Sequence, residues 1–242
     1  MKKSFLIFTI FLITITLYAE NKSTEQGNAG NFKKYILMPV DDSSRDKDFQ
    51  KFITDFKKAI KDKNISYLKE NTSKNIIWSF ADESGSIKGF LKNYGLDVKL
   101  YKKSPFWNNM EKILNLGGTF YNDEKTSMAF PYMFVLFPGN DYDSYTFAAV
   151  TGKNVNIRKT PDRNSAVIDT LSYEIVKVLN FPGYDAKEEI IGSKSGVWVN
   201  IRTASGKEGY IFSYYLHSPI GYRAIFEKQE GKWLLKAFIS GD

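Results

Sequence analysis

The chain has 242 residues, 43% hydrophobic and 25% charged, with 34 Lys or Arg against 27 Asp or Glu for a formal charge of +7. This is an ordinary globular balance, long enough for one large or two modest domains with a real core. Having no cysteine and one histidine, His217, the chain lacks a disulfide, a lipid-attachment thiol, a thiol nucleophile and the imidazoles of a zinc hydrolase.

Met1-Lys2-Lys3 is a positive start, Phe5 to Leu17 an apolar, Thr-containing core, and Tyr18-Ala19 a cleavage point before Glu20. Residues 1–19 are therefore predicted to be a secretory signal peptide. Its core is shorter than the roughly 20 residues a spanning helix needs. Leu17 is larger than the residue usual two positions before a cut, which keeps an uncleaved anchor open as the alternative. Cleavage removes Lys2 and Lys3 and lowers the charge to +5. The expected location is periplasm, cell envelope or outside the cell, with no stable membrane span afterwards. Glu20 to Asn31, rich in Gly, Asn and Ser/Thr, opens a flexible tether predicted over residues 20–45. Basic residues are scattered in pairs such as Lys57-Lys58 and Lys102-Lys103, without a run or a recognisable module, so no nucleic-acid partner is expected.

Phe49, Phe52, Ile53, Phe56, Ala59 and Ile60 recur at helical spacing and predict a helix over about 48–61, followed by a short one at 65–69. Ile76 to Phe80 is strand-like, and Ile87 to Tyr94 fits strand or helix. Pro105 opens a helix whose apolar face is Phe106, Trp107, Met110, Ile113 and Leu114, ended by Gly117-Gly118. Phe130 to Phe137 is almost continuously apolar and predicts a buried strand. Mixed helices and strands make residues 46–147 an α+β region.

Val155-Asn156-Ile157-Arg158 alternates apolar and polar at strand period, and Pro161 with Asp162, Asn164 and Ser165 then turns the chain. Val167, Ile168 and Leu171 make a short apolar step before a strand at 174–179. Gly196 to Arg202 and Glu208 to Phe212 predict a hairpin whose turn uses Gly206. Residues 148–217 thereby resemble the bacterial SH3-like (SH3b) domain. The resemblance rests on Val155 to Pro161, on Val167, Ile168 and Leu171, on Gly196, Trp198 and Ile201, and on the tail Gly209, Tyr210, Ile211, Tyr215, Leu216. It implies a small all-β barrel that binds a ligand. The segment from Phe181 to Ser195 is longer than the family's usual link, and variable loops carry binding.

Two further strands, Tyr222 to Lys228 and Lys232 to Ile239, follow Ser218-Pro219 and are joined by Gln229-Glu230-Gly231. A barrel of this family is complete without them. The simplest arrangement returns them to the sheet of the 46–147 region, so that the α+β domain comprises 46–147 plus 219–242 with the barrel inserted. A helix, a lysine-rich connection and a closing Gly-Lys-Trp strand also make this region faintly similar to nuclear transport factor 2-like domains.

Candidate chemistry is sparse. His217, at the end of the last barrel strand, is expected to be an ordinary surface residue, and no Gly-x-Ser-x-Gly elbow supports a triad through it. Asp123-Glu124 and Glu188-Glu189 are expected to be solvated loop charges, and Asp141 and Asp143 turn formers, since the calcium-loop pattern is incomplete. The expectation is a non-catalytic exported binding protein, without cofactor, whose barrel recognises cell-wall peptide or an envelope protein. Arg158, Tyr184, Trp198, Tyr210, Tyr214 and Tyr215 are its candidate ligand contacts, although Trp198 and Tyr210 also suit barrel packing. The alternative is an envelope enzyme or small-ligand binder with a pocket in the α+β domain.

Overall fold

An apolar stripe recurring every three or four residues becomes the buried face of helix α1 (Lys47–Lys61) in the computed structural model, which describes residues 32–80, 85–183 and 186–241. Asp46 caps this helix by accepting from the Phe49 amide at 2.7 Å. Phe49, Ile53, Phe56 and Ile60 are buried along its length. The predicted signal segment and tether residues 20–31 lie outside the described residues. Among the described residues, no helix is long and apolar enough to cross a membrane.

After α1 come α2 (Ile65–Glu70), β1 (Thr72–Ile77), α3 (Ile87–Asn93), α4 (Pro105–Asn115), β2 (Thr119–Phe120), β3 (Ser127–Phe130), α5 (Met133–Leu136) and β4 (Phe147–Val150). Ser104 caps α4, with Pro105 in the first turn, where its missing N–H goes unneeded. The segment at 87–94, open between strand and helix in the sequence, is the helix α3, capped by Ser86. Two expectations shift. The strand placed at 76–80 runs instead from Thr72 to Ile77, and the run from Phe130 to Phe137 is a strand end followed by α5.

The second half of the described chain supplies β5 (Val155–Arg158), β6 (Val167–Leu171), β7 (Ile175–Asn180), β8 (Glu189–Ile191), β9 (Lys194–Gly196), β10 (Trp198–Arg202), β11 (Glu208–Phe212), β12 (Leu216–His217), β13 (Arg223–Gln229) and β14 (Lys232–Ile239). Strands β13 and β14 form an antiparallel hairpin. β13 pairs with β3 and β14 runs parallel to β1, giving the order β1-β14-β13-β3-β2. Phe49, Phe56, Phe106, Phe130, Phe226, Trp233, Leu235 and Phe238 fill the core between this sheet and its helices.

A separate seven-stranded sheet has the order β12-β4-β7-β10-β11-β5-β6. Val155, Ile157, Val176, Val178, Val199, Ile201 and Ile211 turn inward at strand period and make its core. β11 passes so close to β5 and β6 that a Cβ on Gly209 would lie 2.6 Å from Ile168 Cδ1 and 2.7 Å from the Arg158 carbonyl oxygen. Because one contact is backbone, Gly209→Ala is expected to cost about 2 kcal/mol by overpacking. Urea unfolding measures it, and an unchanged midpoint would mean that β11 moves aside freely.

Residues 32–45, expected within the tether, are instead held against both regions. The Leu37 amide donates to the Tyr173 carbonyl at 2.7 Å, and Leu37 itself is buried. Tyr132 donates its hydroxyl to the Leu37 carbonyl at 3.0 Å, Tyr142 donates to the Lys33 carbonyl at 2.6 Å, and Thr119 donates to buried Asp42 at 2.7 Å. Phe32, Leu37 and Val40 pack against Tyr132, Tyr142 and their neighbours, and backbone groups of the strip find partners far away in sequence, which together fix it.

Candidate functional site

The outward faces of β5, β10 and β11 follow from the same alternation that fills the core. Trp198 and Phe212 are direct cross-strand partners, their ring centroids 5.5 Å apart. Asn156 and Arg158 alternate with the buried Val155 and Ile157 on β5. These outward residues meet in a cleft of about 240 Å³, also lined by Lys153, Arg163, Ile191, Lys194 and Tyr215.

One wall comes from the long link between β7 and β10. It carries the β8–β9 hairpin, with Glu189 opposite Gly196 and Ile191 opposite Lys194. The Trp198 indole donates from Nε1 to Glu189 Oε2 at 3.2 Å, which ties the ring to the hairpin. Lys194 Nζ donates to the Tyr215 hydroxyl at 2.5 Å and lies 4.8 Å from the centre of that ring. The hydrogen bond to Tyr215 holds the Lys194 ammonium above its ordinary range.

Every charged residue lining the cleft is cationic: Lys153, Arg158, Arg163 and Lys194. Arg158 Nη1 donates to the Ser165 carbonyl at 2.6 Å, pinning its guanidinium to the loop after β5. Lys153 and Arg163 are exposed and have no ion-pair partner among the described residues. The result is an aromatic floor under a positive rim, suited to an anionic group attached to an apolar or planar one.

Of the six predicted contacts, Arg158, Trp198 and Tyr215 come together here. Tyr210 pairs with Arg158 across β11 and β5 but does not line the cleft. Tyr214 faces a neighbouring groove, its ring near Lys112 Nζ at 5.7 Å and Lys194 Nζ at 5.3 Å. Tyr184 lies outside the described residues. Sequence reasoning missed Lys153, Arg163, Ile191, Lys194 and Phe212. Lys153 and Arg163 flank the Val-Asn-Ile-Arg strand, and Lys194 sits in the long link, so position rather than residue type was the available signal.

His217 corrects an expectation. It is buried, 8% exposed, where β12 pairs with Ala149 of β4. Burial, with the nearby Lys112 ammonium second, pushes its imidazole down to about 3, against an opposing backbone hydrogen bond to Tyr222. Glu188 is an exposed loop charge, as expected, that accepts from the Ser195 hydroxyl, whereas Glu189 is half-buried on β8 and holds Trp198. Asp143 accepts from the Tyr145 amide at 3.1 Å and the Thr146 hydroxyl at 2.9 Å, as a turn former does.

No curated protein and no solved structure matches this chain. A nuclear transport factor 2-like assignment of the α+β region therefore gains no support. The cleft, by contrast, is lined wholly by residues of a recognised segment: residues 153–217 match the family model of the bacterial SH3 domain.

Proposed function

We propose that this is an exported, non-catalytic binding protein whose SH3-type cleft captures an anionic peptide, either a cell-wall stem peptide or an acidic stretch of an envelope protein. The observation that carries this reading is the cleft's lining, four cations around Trp198, Phe212 and Tyr215 with no carboxylate among them. A stem peptide offers free carboxylates on a short extended backbone, which meets such a rim and floor. The family match supports a binding role, and the leader-like residues 1–19 support export.

The α+β region acts as a scaffold in this reading. Residues 46–147 and 219–242 form one host, and the SH3-type segment is an insertion in it. Supporting this, β13 and β14 share a sheet with β1 and β3, which precede that segment in the chain. The host interior is filled by packed phenylalanines rather than by converging charges, which favours a scaffold over an enzyme.

Co-sedimentation with insoluble peptidoglycan tests the binding role. Lys153 and Arg163 are exposed, so the double variant Lys153→Glu with Arg163→Glu keeps the fold. Reversing two rim charges is expected to weaken retention about tenfold or more at low salt, with the difference shrinking as salt rises. Equal retention of the variant and the unaltered protein would reject the cleft as the binding site.

A further inference from the structure

Beside the cleft, on the other side of the β8–β9 hairpin, lies a groove of about 880 Å³ between that hairpin and helix α4. Its size falls within the roughly 300–1,000 Å³ of small-ligand sites. The chemistry of its walls differs from that of the cleft. Asn108 and Asn115, two turns apart on one face of α4, line it together with Asn109. None of these three amides has a side-chain hydrogen-bond partner among the described residues, and Asn108 and Asn115 are exposed to whatever enters the groove. Ser193 and Ser195 line the facing wall.

Among the described residues the groove carries charges of both signs. Glu111 and Glu188 line the groove together with Lys112, whose Nζ sits 3.4 Å from the Ser213 carbonyl and which burial pushes below the usual lysine range. Two carboxylates disfavour a polyanion and a desolvated ammonium disfavours a polycation, while Pro105, Val197 and the Tyr214 ring give the groove an apolar surface beside its amides and hydroxyls. Such walls suit a neutral ligand that is dense in groups that both donate and accept and has one apolar face to lay against Tyr214. An amide offers two donors and an acceptor, and it therefore matches adjacent sugar hydroxyls or an N-acetyl group.

We propose that the groove between α4 and the β8–β9 hairpin is a saccharide subsite that takes a neutral, polyhydroxylated sugar chain. It depends on α4, outside the residues matched as a bacterial SH3 domain, and so belongs to the combination of host and inserted segment. The β8–β9 hairpin is the partition: Lys194 faces the cleft, and the next residue, Ser195, faces the groove. The subsite does not depend on which peptide the cleft takes.

The test titrates the full chain with the β-1,4-linked tetrasaccharides of N-acetylglucosamine and of glucose, followed by calorimetry and by backbone amide shifts. At least one sugar is expected to bind saturably, with shifts on α4 and at 193–196. Asn108→Ala with Asn115→Ala, both exposed positions that alanine suits in a helix, is expected to weaken binding about tenfold through loss of two hydrogen bonds. The cleft variant Lys153→Glu with Arg163→Glu is expected to leave sugar binding intact. Absence of saturable binding by both sugars, unchanged affinity in the asparagine variant, or loss of binding in the cleft variant would each overturn the proposal. So would displacement of the sugar by an acidic pentapeptide. None of these failures touches the peptidoglycan retention that tests the cleft.

Discussion

Phe226→Ala is expected to remove about 4 kcal/mol of unfolding free energy, within the 3–5 kcal/mol typical of a fully buried phenylalanine. Phe226 projects from β13, an inner strand of the five-stranded sheet, and has no exposed surface. Its ring centroid lies 5.0 Å from Phe56, 5.7 Å from Phe52, 5.8 Å from Phe130 and 6.1 Å from Phe49, all but one on the facing side of α1. Each pair adds edge-on aromatic contact beyond area burial, and rings anchored on a helix and a strand cannot collapse into the void together. Against a typical total of 5–15 kcal/mol, that loss is large. Urea unfolding measures it, with Val167→Ala on the exposed edge strand β6 as a control expected to change little. A loss under about 1 kcal/mol for Phe226→Ala would mean that the C-terminal hairpin is not integral to the α+β core.

The same hairpin shows how far the sequence reaches. Both strands were legible as short runs rich in apolar and aromatic residues, Ala224 to Phe226 and Trp233 to Leu235, on either side of Gln229-Glu230-Gly231. The pairing skips one residue of β14, so Ile225 faces Ala237 while Phe226 faces Leu235. That bulge at Lys236 reverses the alternation and delivers Phe238 to the core, a switch no fixed period can foretell. Similarly, Phe130 to Phe137 has no polar residue to distinguish strand from helix, and only Pro131 marked the break now found there. β1 was read late because its first residues are Thr72 and Ser73, buried yet polar. The Thr72 hydroxyl satisfies itself by donating to the Leu68 carbonyl at 2.6 Å, and a hydrophobicity pattern does not register this.

At the cleft the readable part was the repeat common to the family, and the unreadable part was what this chain adds. Arg158 and Trp198 stand on strands whose alternation sets their direction. The segment 181–195 showed only as excess length, yet its hairpin positions Ile191 and Lys194, fixes the Trp198 indole through Glu189 and separates two surfaces of opposite character. The wall that shapes the cleft therefore comes from the least patterned stretch of the SH3-type segment, the kind of loop on a rigid scaffold that commonly carries recognition.

Stability is expected to fall by about 2 kcal/mol between pH 7 and pH 5, through His217. An unfolded histidine takes its proton near 6.5, whereas the folded imidazole, buried and close to Lys112, resists protonation down to about 3. Above 6.5 both states are neutral and the group contributes nothing. As pH falls from 6.5 the unfolded state alone gains the proton, so each unit costs the fold about 1.4 kcal/mol until the folded value near 3 is reached. The interval from 7 to 5 lies above the ordinary carboxylate range, which isolates the histidine from general acid unfolding. Urea midpoints at three pH values in this window measure the slope, and His217→Asn is expected to flatten it whatever its stability at pH 7. Lys112→Gln removes the cation that opposes protonation and should raise the pH at which the loss of stability levels off, below this window, while leaving His217 in place. A slope unchanged in His217→Asn would assign the pH dependence to other groups.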